Sequence, residues 1–453
     1  MSEGRETFTP GRGRKGPPAP VEIAERLLAE TMIPTPEGDQ HAFLQDAAGI
    51  TYQYNGKWWE EIGDETLHAL VLRLDDKRAW KSATRREVIE YVKATVHRRD
   101  HAFGRVAHHE IAFDNGVVDV RTGRRRPHRP QDYLDSVLPW SHDPGAACPT
   151  WLRVLADWFP EAPDADGRPD TRPAALQDFF GYVALPHARY KRALFCLGPS
   201  NCGKSLVALL LKAMVGDRFT CTLPVSDMDD PVKRWVIKHK RLNIMTELPT
   251  DAIIADGGFK TMVSSEEPIF INGKYEKPVT YVPVAKHVIA ANNLPTVNDR
   301  TLAVVNRLLI IEFHRVFSDQ EMDVDLLNQL IAEMPGILNW VMGGARRLDA
   351  NGGLFTEPTN AAERVREMRE AANPLMTFVR ERMVPELGAA APLGEVARAF
   401  NEWNQGQKWE IRRVGKALRS AGYTVKDHWF KEGGSVVSLI DHRFPILDPP
   451  TIP

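Results

Sequence analysis

GPSNCGKS, residues Gly198–Ser205, fits the pattern G-x-x-x-x-G-K-[ST], the signature of a phosphate-binding loop. The apolar run Ala193-Leu194-Phe195-Cys196-Leu197 before it reads as a buried strand, and Leu206 to Val215 after it reads as a helix. That strand–loop–helix context is what the motif requires. Its glycines let backbone N–H groups close around phosphates, and the helix N-terminus adds favourable partial charge. The whole loop, Gly198, Pro199, Ser200, Asn201, Cys202, Gly203, Lys204 and Ser205, is therefore the expected cradle for ATP. Lys204 is expected to reach the β- and γ-phosphates, and Ser205 to ligate Mg²⁺.

Outside the loop, composition mostly excludes. The formal net charge is −2, from 58 basic and 60 acidic residues, so any nucleic-acid contact must come from local patches. Cys148, Cys196, Cys202 and Cys221 show no C-x-x-C spacing, which supports neither a zinc ribbon nor a disulfide framework. No apolar stretch reaches the ~18 residues of a membrane span, and the N-terminus has no apolar signal core. No membrane partner is expected, and the cytoplasm is the expected compartment.

Along the chain, Met1 to Pro20 is a Gly-, Pro- and Arg-rich tail with Arg5, Arg12, Arg14 and Lys15. Residues 21–175 mix short strands and helices. Ile50 to Tyr54 alternates like a strand, Asn55-Gly56 reads as a hairpin turn and Lys57-Trp58-Trp59 as the return. Helical spacing follows over Glu65 to Leu74 and Arg85 to Val96. This region offers no catalytic constellation and reads as a structural or adaptor domain. Residues 176–345 alternate apolar strands (Leu194–Leu197, Leu242–Met245, His287–Ala291, Leu308–Phe313) with helices. The fold class is α/β, a phosphate-loop ATPase with a mostly parallel central sheet. Leu326 to Met342 reads as helix with a break at Pro335-Gly336, residues 346–373 as a helical linker, and residues 374–453 as a small separate module.

Residues downstream of the loop narrow its chemistry. RLNIMTE, Arg241 to Glu247, is an apolar strand ending in an acid. At a sheet edge, Glu247 would polarise an attacking water and contribute to the Mg²⁺ site. The residue before it is Thr246, so metal anchoring falls more heavily on Ser205. The next strand ends in Asn292-Asn293, amides suited to sensing a γ-phosphate or ending a strand. Arg307 precedes the strand LLIIEF and suits stabilisation of transition-state charge from a neighbouring subunit; Arg300 is a weaker candidate. Between acid and amide, Pro268 to Tyr281 alternates like a β-hairpin, with Lys274, Tyr275 and Lys277 near its tip. Lysines and an aromatic there suit a nucleic-acid backbone, or a solvated turn.

The ordered set GPSNCGKS, RLNIMTELP, the lysine-bearing hairpin, IAANNLP and NRLLIIEF resembles superfamily 3 DNA helicases, closest to the phage and plasmid primase-helicases and poxvirus-type replication ATPases. FDNGVVDVRTGRRRPHRPQDYL upstream resembles the helicase-associated domain of that group. The resemblance spans residues 40–320 and implies an AAA+-like ATPase. It implies a hexameric ring with ATP between subunits, hairpins lining a channel for single-stranded DNA, Asn292 as sensor and Arg307 as finger. It also implies a phage, plasmid or integrated element in a bacterial host cell. Asn306 departs from it, standing where the family often has a second Arg. Priming is not expected of this chain, so a separate primase or polymerase is an expected partner.

In the last module, helices at Leu375–Met383, Leu393–Trp403 and Ile411–Ala421 precede strands around Lys431-Glu432-Gly433-Gly434, the order of a winged helix-turn-helix. Arg412, Arg413, Lys416 and Arg419 fall on or near the third helix, not all on one face, and Lys431 on the wing. Duplex DNA or a docked protein would suit such a module. The leading expectation is an ATP-dependent DNA helicase. The alternatives are a DNA-stimulated ATPase that acts as an origin-binding, loading or interference factor without processive unwinding, and a small-molecule kinase.

Overall fold

The structure is a computed structural model. It describes residues 19–75, 80–99, 103, 106–160, 169–248, 253–264, 268–274, 278–298, 303–372, 374–404, 408–430 and 434–445. The contacts divide the chain into two compact units. The first is Met1–Pro144 with Ala184–His187, and the second Gly145–Val183 with Ala188–Pro453. The division falls at Pro144/Gly145, ahead of the boundary expected at 175/176, because the helix beginning at Pro149 packs inside the second unit.

In the first unit, α1 (Pro20–Glu30) is followed by the short pair β1 (Met32–Ile33) and β2 (Gln40–His41). Next come the antiparallel strands β3 (Phe43–Gln45), β4 (Thr51–Tyr54) and β5 (Trp59–Ile62). The β4–β5 loop is longer than the two-residue turn that Asn55-Gly56 suggests. Asn55 Oδ1 accepts from the amides of Lys57 and Trp58, both at 3.0 Å, which delays the return strand to Trp59. Helices α2 (Asp64–Leu74) and α3 (Ser82–Thr95) close over α1, burying Ile23, Leu27, Leu67, Val71, Val88 and Val92. A second antiparallel sheet comprises β6 (Glu110–Phe113), β7 (Gly116–Asp119) and β8 (Arg125–Arg126).

The second unit opens with α4 (Pro149–Trp158) and α5 (Arg172–Ala184). After them come β9 (Ala193–Leu197), α6 (Lys204–Val215), β10 (Thr220–Cys221), β11 (Leu242–Met245), β12 (Ile253–Ala255) and α7 (Asp256–Ser264). The hairpin β13 (Ile269–Ile271) and β14 (Val279–Tyr281) leads to β15 (Lys286–Ala291), β16 (Thr296–Asn298) and β17 (Leu308–Glu312). Five strands form one parallel sheet in the order β10-β11-β15-β9-β17. Every residue of β9, β11, β15 and β17 is buried. A parallel sheet is covered on both faces, which is why these strands read as mostly apolar; Asn243, Lys286, His287 and Glu312 are buried with them.

Helices α8 (Leu326–Ala332) and α9 (Met334–Ala350) part at Glu333, not at Pro335-Gly336 as the sequence suggested. Pro335 stands in the first turn of α9, where its missing N–H costs nothing. The Glu333 carboxylate accepts from the amides of Thr150 at 3.0 Å and Trp151 at 3.2 Å, capping α4. Helices α5 and α9 cross in close contact: a Cβ on Gly344 would lie 2.0 Å from the Gln177 carbonyl oxygen. The buried Asp178 locks this crossing through a 2.6 Å ion pair with Arg347.

Helix α10 (Ala361–Ala372) leads into the C-terminal module, ordered α11 (Pro374–Arg382), β18 (Val384–Pro392), α12 (Leu393–Trp403), α13 (Ile411–Ser420), β19 (Val425–Phe430) and β20 (Gly434–Arg443). The sequence suggested three helices and a hairpin. The structure adds β18, which pairs with β20 to make a three-stranded antiparallel sheet. Gly388 and a run of alanines hide this strand from a propensity reading. Its core is Leu375, Phe378, Val396, Phe400, Val414, Leu418 and Leu439.

Candidate functional site

The sheet register brings the expected nucleotide residues together. Leu197 at the end of β9 is level with Ala291 at the end of β15. Met245 is level with Ile289. Glu247 follows the end of β11 by two residues, on the same carboxyl side of the sheet. Gly198, Asn292 and Glu247 thus leave the same carboxyl edge from three adjacent strands, with the Asn292 strand between the other two. The Gly198 amide donates to the Ala291 carbonyl at 3.3 Å, tying the phosphate loop to the Asn292 strand. Glu247, Thr246, Asn292 and Ser205 are all exposed at this edge.

The loop is held open by its own chain. Gly203 caps α6 with φ +97°, and a Cβ there would lie 2.4 Å from Trp158 Nε1, so no other residue fits this turn without displacement. Lys204 is buried. Its amine donates to the Gly198 carbonyl at 2.7 Å and to the Pro199 carbonyl, and lies 3.3 Å from Cys202 Sγ. The Phe317 amide donates to the Asn201 carbonyl at 3.0 Å, bracing the outer side of the loop.

A solvent-open cleft of about 610 Å³ runs from Leu197–Ser200 and Asn292–Leu294 to Glu312, Phe313, His314, Arg364 and Glu367. Arg364 lies across this cleft on α10, within what the sequence marked only as a helical linker. Its Nε donates to Glu312 at 2.6 Å and its NH1 to Glu367 at 2.6 Å. The Glu367 bond, outweighing burial, and the two carboxylates together push its pKa up. The other Glu312 oxygen lies 3.8 Å from His314 Nε2. These groups carry no motif, and only the packing of α10 over β17 reveals them.

Arg307 stands apart from the loop. Leu308 is level with Ala193, so Arg307 lies at the amino edge, one strand length, roughly 16 Å, from the loop. Its guanidinium is held by neutral groups: Ser264 Oγ at 3.0 Å and the Ala303 carbonyl at 2.9 Å. Arg192, directly before β9, joins it there and donates to the Asn306 carbonyl. Burial pulls the Arg192 pKa down; Glu357 opposes this and the charge of Arg307 adds to it. Sequence reasoning missed Arg192, whose signal is its place at the mouth of the loop strand.

Lys274 is exposed at the end of β13's run. Tyr275, Lys277, Arg300, Lys431 and the basic residues of the N-terminal tail lie outside the described residues. On α13, Arg412, Arg413, Lys416 and Arg419 are all exposed while Val414 and Leu418 are buried. The sequence suggested that these cations spread around the helix; they share its solvent face instead, because the apolar stripe takes the opposite side. The Arg413 guanidinium sits 4.0 Å from the Trp409 ring centroid.

Comparison with known proteins agrees with the motifs. Residues 25–160 match the family model described as "D5 N terminal like", and residues 196–307 match one described as "Family of unknown function (DUF5906)". The D5-type likeness is therefore that of residues 25–160. Two apo structures of the NrS-1 C terminal region resemble this chain with a TM-score of 0.53, at 13% and 12% identity, each covering 94% of this chain and 100% of the other. At that identity the likeness is one of fold, the five-stranded parallel sheet of a phosphate-loop-like domain included. An uncharacterized mitochondrial protein of Marchantia polymorpha, ymf21, is 25% identical over 142 residues, 29% of this chain and 75% of that protein. Among the described residues no helix is long and apolar enough to cross a membrane.

Proposed function

We propose that this D5-type chain is an ATP-dependent DNA helicase that works as a ring, a hexamer, in replication of a phage, plasmid or integrated element. One observation carries the reading: Lys204, Glu247 and Asn292 meet at the carboxyl edge while Arg307 stands at the amino edge. A chain built this way holds the nucleotide on one side and offers an arginine from the other, so a complete site needs a neighbour. The strand order, with the acid strand separated from the loop strand by the Asn292 strand, supports an AAA+-like class. ATP would bind with its phosphates on the amides of the loop. Lys204 would leave its carbonyl partners for phosphate oxygens, Asn292 would orient the attacking water, and Glu247 would accept its proton.

The oxygen donors Ser205 and Glu247 fit Mg²⁺, a hard cation that takes carboxylate, hydroxyl and phosphate oxygens. Bound there with the phosphates, it would supply charge neutralisation. Lys274, with Tyr275 and Lys277, would contact single-stranded DNA in the channel. The order of α11 to β20 fits a winged helix, whose exposed Arg412, Arg413 and Lys416 would meet duplex DNA. A second reading, a DNA-stimulated ATPase without processive unwinding, rests on the same ATPase parts.

Lys204→Ala tests the function. ATP hydrolysis and separation of a forked duplex are both expected to vanish; unwinding at the wild-type rate would overturn the proposal. Hydrolysis by the wild type without strand separation would favour the second reading.

A further inference from the structure

The first unit has so far no role beyond scaffolding. Its β7–β8 hairpin carries the densest basic stretch among the described residues, Arg121 to Arg129 (RTGRRRPHR). The structure sorts these arginines into two kinds. Arg126 is structural: it pairs with Glu110 at 3.0 Å and with Asp132 at 2.7 Å, and is partly buried between them. Arg124, Arg125 and Arg129 are exposed and make no ion pair among the described residues. Strand alternation accounts for the difference, since Arg125 and Arg126 are neighbours on β8 and face opposite sides.

The turn that presents these cations is rigid. Asp119 Oδ1 accepts from the Arg121 amide at 2.7 Å and the Thr122 amide at 3.2 Å. The Gly123 amide donates to the Asp119 carbonyl at 2.8 Å, and the Asp119 amide to the Arg124 carbonyl at 3.0 Å. Burial works against the Asp119 charge, yet these amides hold its carboxyl below the usual range. Its charge is therefore directed into the turn. The Arg125 stem lies over Gly116, where a Cβ would stand 3.2 Å from Arg125 Cγ. Glu110, Asp132 and Asp119 are thus all engaged, leaving the outward guanidinium groups without a counter-charge. Exposed arginines along at most ~18 Å of chain match a run of backbone phosphates, which they can bind by paired N–H donors.

We propose that Arg124, Arg125 and Arg129 of this hairpin form a nucleic-acid backbone site, through which the first unit grips DNA apart from the ATPase and the C-terminal module. It rests on the DNA-directed reading above for the identity of its polyanion. The contact is to phosphates and carries no base specificity.

The test is binding of the full chain to fluorescein-labelled single-stranded and forked oligonucleotides, followed by anisotropy across a potassium chloride series. In the triple variant Arg124→Ala/Arg125→Ala/Arg129→Ala, the slope of log affinity against log salt is expected to fall by about two to three, since each lost phosphate contact removes ~0.7 to 0.9. ATP hydrolysis without DNA should stay at the wild-type rate, which also reports that the variant is folded. A triple variant that keeps the wild-type slope and affinity overturns the site, and assigns these cations to solvent or to an acidic protein. Wild-type protein that binds no DNA at low salt fails both this proposal and the helicase reading.

Discussion

The carboxyl end of the parallel sheet gathers the phosphate loop, Asn292 and, across the cleft, Arg364 with its two carboxylates, with Glu247 exposed just beyond the end of β11. The amino end holds two arginines, Arg192 and Arg307, whose hydrogen bonds among the described residues run to carbonyls and a serine. One end therefore has the candidate phosphate-binding amides and a general-base candidate, and the other has two arginines, of which Arg192 feels the charge of Glu357. A single chain cannot bring both ends to one phosphate, because the strands between them are rigid and fully buried. On the proposed reading, the ATPase chemistry is divided between copies, and each end is half of a site.

That comparison breaks most readily on mixing. Arg307→Ala should lower ATP turnover by about 10³ to 10⁵, the range for a finger arginine, and Lys204→Ala should abolish it. Mixed together, the two inactive proteins should regain activity. An Arg307→Ala subunit still offers an intact loop, and its Lys204→Ala neighbour still offers Arg307. Mixtures as inactive as their components would place Arg307 in a structural role within its own chain, bracing α7 through Ser264.

The two ends also differ in how much of them the sequence revealed. Glu247 and Asn292 are legible because they come just after the end of a buried strand, and Lys204 and Ser205 because the loop motif fixes their place at the start of α6. β9 and β15 end in step and β11 ends just short of them, so a residue's place in its own motif sets its place near the edge. Arg307 is legible for the same reason, at the start of its strand. Arg364 and Glu312 are not, since their meeting depends on α10 folding back over β17, a contact between segments 52 residues apart. Strand β18 was hidden as well, because Val384 to Pro392 lacks the alternation of a half-buried strand and is exposed over most of its length. The solvent face of α13 was misjudged where a helical wheel was decisive: Arg412, Lys416 and Arg419 stand at i, i+4 and i+7.

A sharper test of the carboxyl end is Gly203→Ala. The new methyl group would enter the space of the Trp158 indole at a backbone φ of +97°, and both effects push the first turn of α6 outward. A displacement of the order of 1 Å at a catalytic group costs about a hundredfold. ATP turnover should fall by that order, while Arg307 of the same subunit still serves a neighbour with an intact loop. Wild-type turnover in this variant would show that the loop does not depend on its packing against α4.

The body of the sheet between the two ends should respond to acid. His287 on β15 is fully buried, with Nδ1 3.1 Å from Asn243 Nδ2 and Nε2 3.3 Å from the Met262 carbonyl. A neutral ring satisfies both contacts, accepting at Nδ1 and donating at Nε2. Burial pulls its pKa down from 6.5 to about 4, against the Met262 carbonyl. A depressed folded-state pKa means that the unfolded chain binds the proton first. The stability is therefore complete above pH 6.5 and is lost as pH falls toward 4, by about 3 kcal/mol when complete. Thermal melts between pH 7 and 5 should show the midpoint falling in the wild type and falling less in His287→Gln. Equal slopes would mean that His287 is not the group protonated, and that acid acts on the exposed edges rather than on the sheet that joins them.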